Sequence, residues 1–250
     1  MAVELSQDEF IRLFYGNKPG VTVIIPLYNG IEFLLQAMSS VVNQTYEKWE
    51  LIIGVNGYSP NSIVEQHAEH LKKLFFIHRN QIHIKYYTTK GAPLTLNAMA
   101  KDAKYDYIAF LDADDYWEPT KLEKQIKYIS KYDVIGTQCR YIGVIDNKFK
   151  PGIPLYDVSS RHDIFTTNPM IHSSILIKKE LVEFEDHFVY DYNLWFKLFL
   201  QKKKFFNIPD VLTYHRVHAN SAFNGTNGNY VDDMKAKWRK IYDDCANCAT

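Results

Sequence analysis

From residue 21 to residue 111, four short apolar runs alternate with helix-length amphipathic segments, and this alternation restricts the fold more than any other feature of the chain. Val21 to Pro26 is a continuous, mostly β-branched run, the pattern of a strand covered on both faces. It passes through Leu27-Tyr28-Asn29-Gly30 into the helical spacing of Phe33, Leu34, Ala37, Met38 and Val41. Trp49 to Val55 repeats the scheme, with Asn56-Gly57-Tyr58-Ser59-Pro60 as the turn before a helix from about Ser62 to Lys73. A third strand at His83 to Tyr87 precedes a loop at Thr88 to Pro93 and a helix from about Leu94 to Ala103; a fourth strand covers Tyr107 to Leu111. Such alternation implies right-handed crossovers and a mostly parallel sheet flanked by helices, a Rossmann-like α/β fold. Ligands of open parallel sheets bind beyond the carboxyl ends of the strands, where Tyr28-Asn29, Asn56-Gly57 and Asp112 to Asp115 all fall.

The fourth strand runs straight into Asp112-Ala113-Asp114-Asp115-Tyr116-Trp117. Two unit charges ~4 Å apart cost about 4 kcal/mol at an effective dielectric of ~20, so three aspartates in four positions predict a bound cation, a basic partner or raised pKa values. Oxygen ligands favour Mg²⁺ or Mn²⁺ over zinc. The competing reading of this segment alone is a solvated turn that caps the next helix. The convergence of three polar strand ends on one cleft favours the cation.

With 250 residues, 46% of them hydrophobic, the chain can bury a substantial core, and 29 basic against 29 acidic side chains leave no global field to attract nucleic acid or an anionic membrane. No apolar run approaches a membrane span, and Glu4, Asp8 and Glu9 are unlike a signal peptide, so the expected location is the cytosol or the cytosolic face of a membrane, with peripheral contact open. Cys139, Cys245 and Cys248 form no disulfide framework; Cys245-Ala246-Asn247-Cys248 reads as a reduced tail, and Lys202-Lys203-Lys204 as a solvated helix-end turn. Ser6-Gln7-Asp8-Glu9 is a capping box that opens a short N-terminal helix.

Beyond Trp117 the pattern predicts a helix at about Pro119 to Ser130, a strand at Asp133 to Arg140 with a hairpin partner at Tyr141 to Ile145, and a Pro/Gly-rich loop from Lys150 to Tyr156. Ile171 to Ile177 and Phe205 to Ile208 read as further strands, and Asp191 begins a helix that carries Leu194, Trp195, Leu198 and Phe199. The organisation is an N-terminal appendage at 1–20, a nucleotide-binding half at 21–117, an acceptor-binding half of the same domain at 118–222, and a C-terminal helix and tail at 223–250.

Several segments together resemble the inverting, nonprocessive glycosyltransferases of family 2, which have the GT-A fold. Val23-Ile24-Ile25-Pro26-Leu27-Tyr28-Asn29 resembles the first strand and loop of that family, and Phe110 to Asp115 its metal-binding Asp-x-Asp element. Asn168 to Ser174, Asp191-Tyr192-Asn193-Leu194-Trp195 and Tyr214-His215-Arg216-Val217-His218 resemble its acceptor-side strand, its catalytic helix start and its closing segment. The match spans roughly residues 21 to 222. Two departures stand out: Asn56-Gly57-Tyr58 replaces the acidic turn after the second strand, and a lone Asp191 replaces an acidic pair.

The resemblance implies a metal-dependent transfer from a nucleoside diphosphate sugar, a UDP sugar foremost, to a hydroxyl of a glycan or glycoconjugate. It assigns Asp191 as the base; Pro26, Tyr28, Asn29, Asn56, Asp112, Ala113 and Arg216 as donor contacts; and Asp114, Asp112 and His218 as ligands of Mn²⁺ or Mg²⁺. His172, Ser173 and Trp117 fall on its acceptor side. Two alternatives stand beside it: a catalytically silent carbohydrate-binding or scaffold protein of the same fold, and a nucleotidyltransferase, whose Gly- and basic-rich phosphate loop Pro26-Leu27-Tyr28-Asn29 does not supply. Donor sugar, acceptor and oligomeric state are written in no motif.

Overall fold

The β-branched run at the start of the pattern forms β1 (Val21–Leu27), flanked by β2 (Trp49–Asn56) and β4 (Tyr107–Phe110), with β3 (Ile82–Tyr87) outside β2; all these pairs are parallel. The computed structural model describes residues 18–89, 91–143, 152–159, 162–187, 189–218 and 228–247. The crossover helices are α1 (Leu34–Val42), α2 (Ile63–Leu74) and α3 (Ala92–Asp102). Ser62 caps α2, its side chain accepting from the Glu65 N–H, and Pro93 sits in the first turn of α3 where a missing N–H costs nothing. The strand order β3-β2-β1-β4 reverses direction between β1 and β4, so the crevice of the fold opens beyond Leu27 and Phe110.

Side-chain alternation divides the core into two layers. Val21, Val23, Ile25 and Leu27 pack with α1 and α2 on one face, while Ile24 packs with Leu96 and Met99 of α3 on the other. The second layer also takes Leu194, Trp195, Phe196 and Leu198 of α5 (Tyr190–Leu200) and Met234 and Trp238 of α6 (Gly228–Asn247). Trp195 is fully buried, a core residue as its helical spacing suggests.

Beyond β4 the sheet becomes mixed. β8 (Leu176–Lys178) runs antiparallel to β4 and to β6 (Val134–Gly143); β6 runs parallel to β9 (Phe205–Val217); and β5 (Tyr116–Trp117) and β7 (Tyr156–Asp157) pair antiparallel with β9. Four expectations change here. The anticipated hairpin at Tyr141 is absent because β6 runs on through Gly143 beside β9. The strand at Phe205 to Ile208 continues to Val217, its register shifting opposite Gln138, where exposed Pro209 and Asp210 have no partner in the β6 register. The helix after Pro119 shortens to α4 (Lys121–Ile126), followed by i→i+3 turns at Tyr128 and Lys131. The predicted strand at Ile171 begins instead as a 3₁₀ turn over His172–Ser174, with Ser174 and Ile175 N–H groups bonded to Ile171 and His172 carbonyls.

Lys202 to Lys204 form the turn that closes α5, with Lys202 at φ 56°. The N-terminal capping box, the Cys245 side chain and Cys248 lie outside the described residues. Among the described residues, no helix is long and apolar enough to cross a membrane.

Candidate active site

The acidic loop leaves β4 at the switch point, and each of its three carboxylates has a different partner. The Asp115 side chain is fully buried, accepting the Arg216 N–H at 2.7 Å and lying 3.0 Å from His215 Nδ1. Burial alone would lower the His215 pKa, but the Asp115 charge, helped by Asp112 and Asp114, outweighs it and raises that pKa to about 9. Asp114 Oδ2 is 2.9 Å from His218 Nε2. Its carboxyl is pushed up to about 6 by burial, then by Asp115 and Asp112, against the His218 contact. Asp112 exchanges hydrogen bonds with Ser173: its N–H donates to Oγ at 3.1 Å, and Oγ donates to its carboxylate at 3.0 Å. Burial pushes the Asp112 carboxyl up, but His172, His215 and Ser173 together hold it below the usual carboxylate range.

The donor set around Asp114 fits a divalent ion completed by a ligand. Asp114 is a carboxylate whose charge is disfavoured by burial and by two like neighbours, with an imidazole at hydrogen-bond distance. Among the described residues no group of three or more His, Cys, Asp or Glu converges enough to hold an ion unaided. That pattern suits Mg²⁺ or Mn²⁺, commonly held by one or two carboxylates together with substrate phosphates. Arg216 joins this corner: Nε donates to the Asp114 carbonyl at 2.9 Å, Nη2 to Gln36 Oε1 at 2.7 Å, and the guanidinium lies 4.4 Å from the Phe33 ring centre.

The ends of β1, β2 and β3 enclose a cavity of about 510 Å³ lined by Tyr28, Asn56, Gly57, Tyr58, Tyr87 and Thr89, among others. Tyr28 is 58% exposed, and its backbone carbonyl accepts from the Tyr58 hydroxyl at 2.5 Å. Gly57 is required: its φ is +80°, and a Cβ there would come within 2.4 Å of the Tyr28 ring. Asn56 is buried, and its side-chain amide donates to the Thr89 carbonyl. Pro26 and Asn29 line neither this cavity nor the next, and Ala113 is buried against Gly30.

A second cavity, about 560 Å³, places Asp112 and Asp191 on its wall with His172, Ser173, Tyr190 and Asn168. Asp191 does not cap its helix. It is the second residue of α5, no side chain caps that terminus, and Asn168 Nδ2 donates to its Oδ2 at 3.2 Å. Burial raises the Asp191 pKa, with Asp112 adding to it, against His172, the Tyr192 N–H and Asn168. A carboxylate made more basic in this way is suited to accepting a proton. Val231 and Lys235 of α6 complete the wall.

The sequence-predicted residues thus fall into three groups: Tyr28 and Asn56; Asp114, His218 and Arg216; and Asp112, Asp191, His172 and Ser173. Trp117 leaves the acceptor side. It is 3% exposed, its indole N–H donates to the Ser173 carbonyl at 2.7 Å, and Lys121 Nζ lies 3.9 Å from its ring centre, so it supports Ser173 from within the core. Sequence reasoning assigned no role to His215, Asn168 or Gln36. The first two lie inside the quoted motifs, where polarity amid apolar neighbours is their only signal; Gln36 carries none.

The model of the family described as glycosyl transferase family 2 matches residues 22–202. An uncharacterized glycosyltransferase of Rickettsia typhi is 30% identical over 240 residues, covering 88% of this chain and 70% of that protein. One from Methanocaldococcus jannaschii is 26% identical over 216 residues, covering 80% and 72%. Among solved structures, S. aureus TarS in complex with UDP-GlcNAc superposes with a TM-score of 0.61 at 17% identity, over 82% of this chain and 61% of that one. The mannosyltransferase PcManGT from Pyrobaculum calidifontis, in complex with GDP-Man and Mn²⁺, gives 0.62 at 15% identity, over 82% and 59%. At such identities the likeness is one of fold, and this chain spans about three-fifths of those solved chains.

Proposed function

Because the chain belongs to glycosyltransferase family 2, we propose that it moves a sugar from a nucleoside diphosphate, UDP foremost, to a hydroxyl of a glycan or glycoconjugate with inversion at the anomeric carbon. The observation that carries this reading is the shared cavity of Asp112 and Asp191, a strongly acidic carboxyl from the end of β4 opposed by a weakly acidic one from α5. In a single displacement the acceptor hydroxyl gives its proton to Asp191 as its oxygen bonds to the anomeric carbon. The bond from that carbon to the diphosphate oxygen breaks, and the electron pair leaves with the nucleotide. Asn168 orients Asp191 for this step, and Ser173 holds Asp112. Asp114 and His218, with Asp112 beside them, are the residues to hold Mn²⁺ or Mg²⁺, which when bound supplies Lewis-acid neutralisation of the diphosphate. Tyr28 and Asn56 receive the base, and Arg216 lies beside the diphosphate. Residues 21–117 then form the nucleotide half and 118–222 the acceptor half. A cytosolic setting agrees with the free, buried Cys139.

Calorimetry with UDP, GDP and CDP, with and without Mn²⁺, tests the reading. Expected is Mn²⁺-dependent binding of one nucleotide that Asp114→Ala weakens at least tenfold. Equal binding with and without the ion, unaffected by Asp114→Ala, would refute metal dependence.

A further inference from the structure

The wall of the Asp112–Asp191 cavity holds a side chain whose polar atoms lack a hydrogen-bond partner among the described residues. His172 is 8% exposed, and neither ring nitrogen has a hydrogen-bond partner among the described residues. Nδ1 lies 3.3 Å from Asp112 Oδ1, within ion-pair distance but without the alignment of a hydrogen bond. The ring is held in place: it stacks on Phe110 at 4.8 Å and 15°, and meets Tyr190 edge to face at 5.7 Å. Leaving a buried polar atom unpaired costs on the order of 1–3 kcal/mol, so a fixed ring with a buried, unpaired Nε2, on a residue that lines the cavity, points to a ligand that supplies the missing partner.

The position of the ring selects that ligand. His172 is charge-coupled to Asp112 and to Asp191, the two carboxylates that oppose each other in the cavity. In the transfer proposed above, the transferred sugar must sit between the leaving diphosphate and the base. A sugar hydroxyl both donates and accepts, so it satisfies Nε2 whether that nitrogen carries a proton or a lone pair. On the reading of the site as a glycosyltransferase centre, we propose that His172 binds the transferred sugar itself, with Nε2 paired to one of its hydroxyls. This moves His172 from the acceptor to the donor sugar.

The two conservative amide replacements separate the ring nitrogens. His172→Asn keeps a nitrogen near Nδ1, toward Asp112, and loses the Nε2 position; His172→Gln keeps the Nε2 position. The probes are UDP, UDP-GlcNAc, GDP and GDP-Man, titrated calorimetrically with Mn²⁺ into wild type and both variants, with thermal melts to confirm folding. For whichever nucleotide binds, the expected result is that the affinity of the sugar nucleotide relative to the bare nucleotide falls about tenfold in His172→Asn and is largely kept in His172→Gln, with bare nucleotide binding within about twofold of wild type. A fall of both ligands together would make His172 a support of Asp112, and no change in either would leave it satisfied by a buried water; each overturns the proposal. Wild type that binds none of the four probes overturns the glycosyltransferase reading first, and this inference with it.

Discussion

Replacing Asp115 by Asn removes one charge and little else, and the consequence follows from the His215 pair. The Asp115 side chain is fully buried and His215 is 19% exposed, so solvent screens the pair weakly. Asparagine can still accept the Arg216 N–H, but it cannot hold the imidazolium. His215 titrates at about 9 in the folded protein against 6.5 for an ordinary histidine, a difference of about 3 kcal/mol at ~1.4 kcal/mol per tenfold. Because the folded pKa is the higher one, this stabilisation is fully present below pH 6.5 and is lost as pH rises through 9. Between pH 6.5 and 8.5 the wild type should therefore lose about 2 kcal/mol, most of which Asp115→Asn does not lose, since only Asp112 and Asp114 then remain to raise the His215 pKa. Asp114, raised to about 6, exerts its own effect below that window, and Cys139, raised to about 12, above it. Urea unfolding followed by tryptophan fluorescence, in EDTA so that no ion competes, reads the difference. At pH 6.5 the variant should also be less stable by about 3 kcal/mol, the cost of stranding one partner of a buried pair. Equal pH slopes in the two proteins, or equal stability at pH 6.5, would refute the reasoning.

Three further perturbations have defined outcomes. Gly57→Ala places a Cβ against the Tyr28 ring at φ +80°, and should cost about 1 kcal/mol or more of stability and weaken nucleotide binding; unchanged calorimetric affinity would separate Tyr28 from the base pocket. Lys121 is fully buried, with its pKa driven well below the usual lysine value by burial and its amine bonded to Gln125 Oε1 at 2.8 Å; Lys121→Met should raise the melting temperature at pH 7, where the unfolded chain alone gains the proton, and a lower one would count against a neutral lysine. Cys139 is 2% exposed with its thiol pushed up to about 12, so it should be unreactive to Ellman's reagent in the native protein at pH 8 and react on unfolding; prompt modification of Cys139, located by peptide mapping, would contradict its burial.

Residues 21–117 were legible because their signals are local. β-branched runs, amphipathic spacing and turn residues put β1 to β4 and their helices within a few residues of where they lie, and the strand-end rule brought the acidic loop to the cleft. Residues 118–222 were less legible because their elements depend on distant partners. Nothing between Tyr141 and Gly143 says that β6 continues, since its partner β9 lies more than sixty residues later. The His172–Ser174 segment reads as a strand until Asp112 is placed where Ser173 can bond it. Trp117 falls on the acceptor side by the resemblance, yet Lys121 and the Ser173 carbonyl hold it in the core. Asp191 was found through its motif, and its basicity depends on burial beside Asp112 that local sequence does not encode.

The opposed roles of Asp112 and Asp191 are the central claim, and Asp191→Asn tests it most directly. With the donor that wild type consumes, nucleotide release in the presence of Mn²⁺ should fall by about 10²–10⁴-fold in kcat, while the calorimetric affinity for that donor stays within about twofold. Turnover within a few-fold of wild type at unchanged affinity would contradict the account.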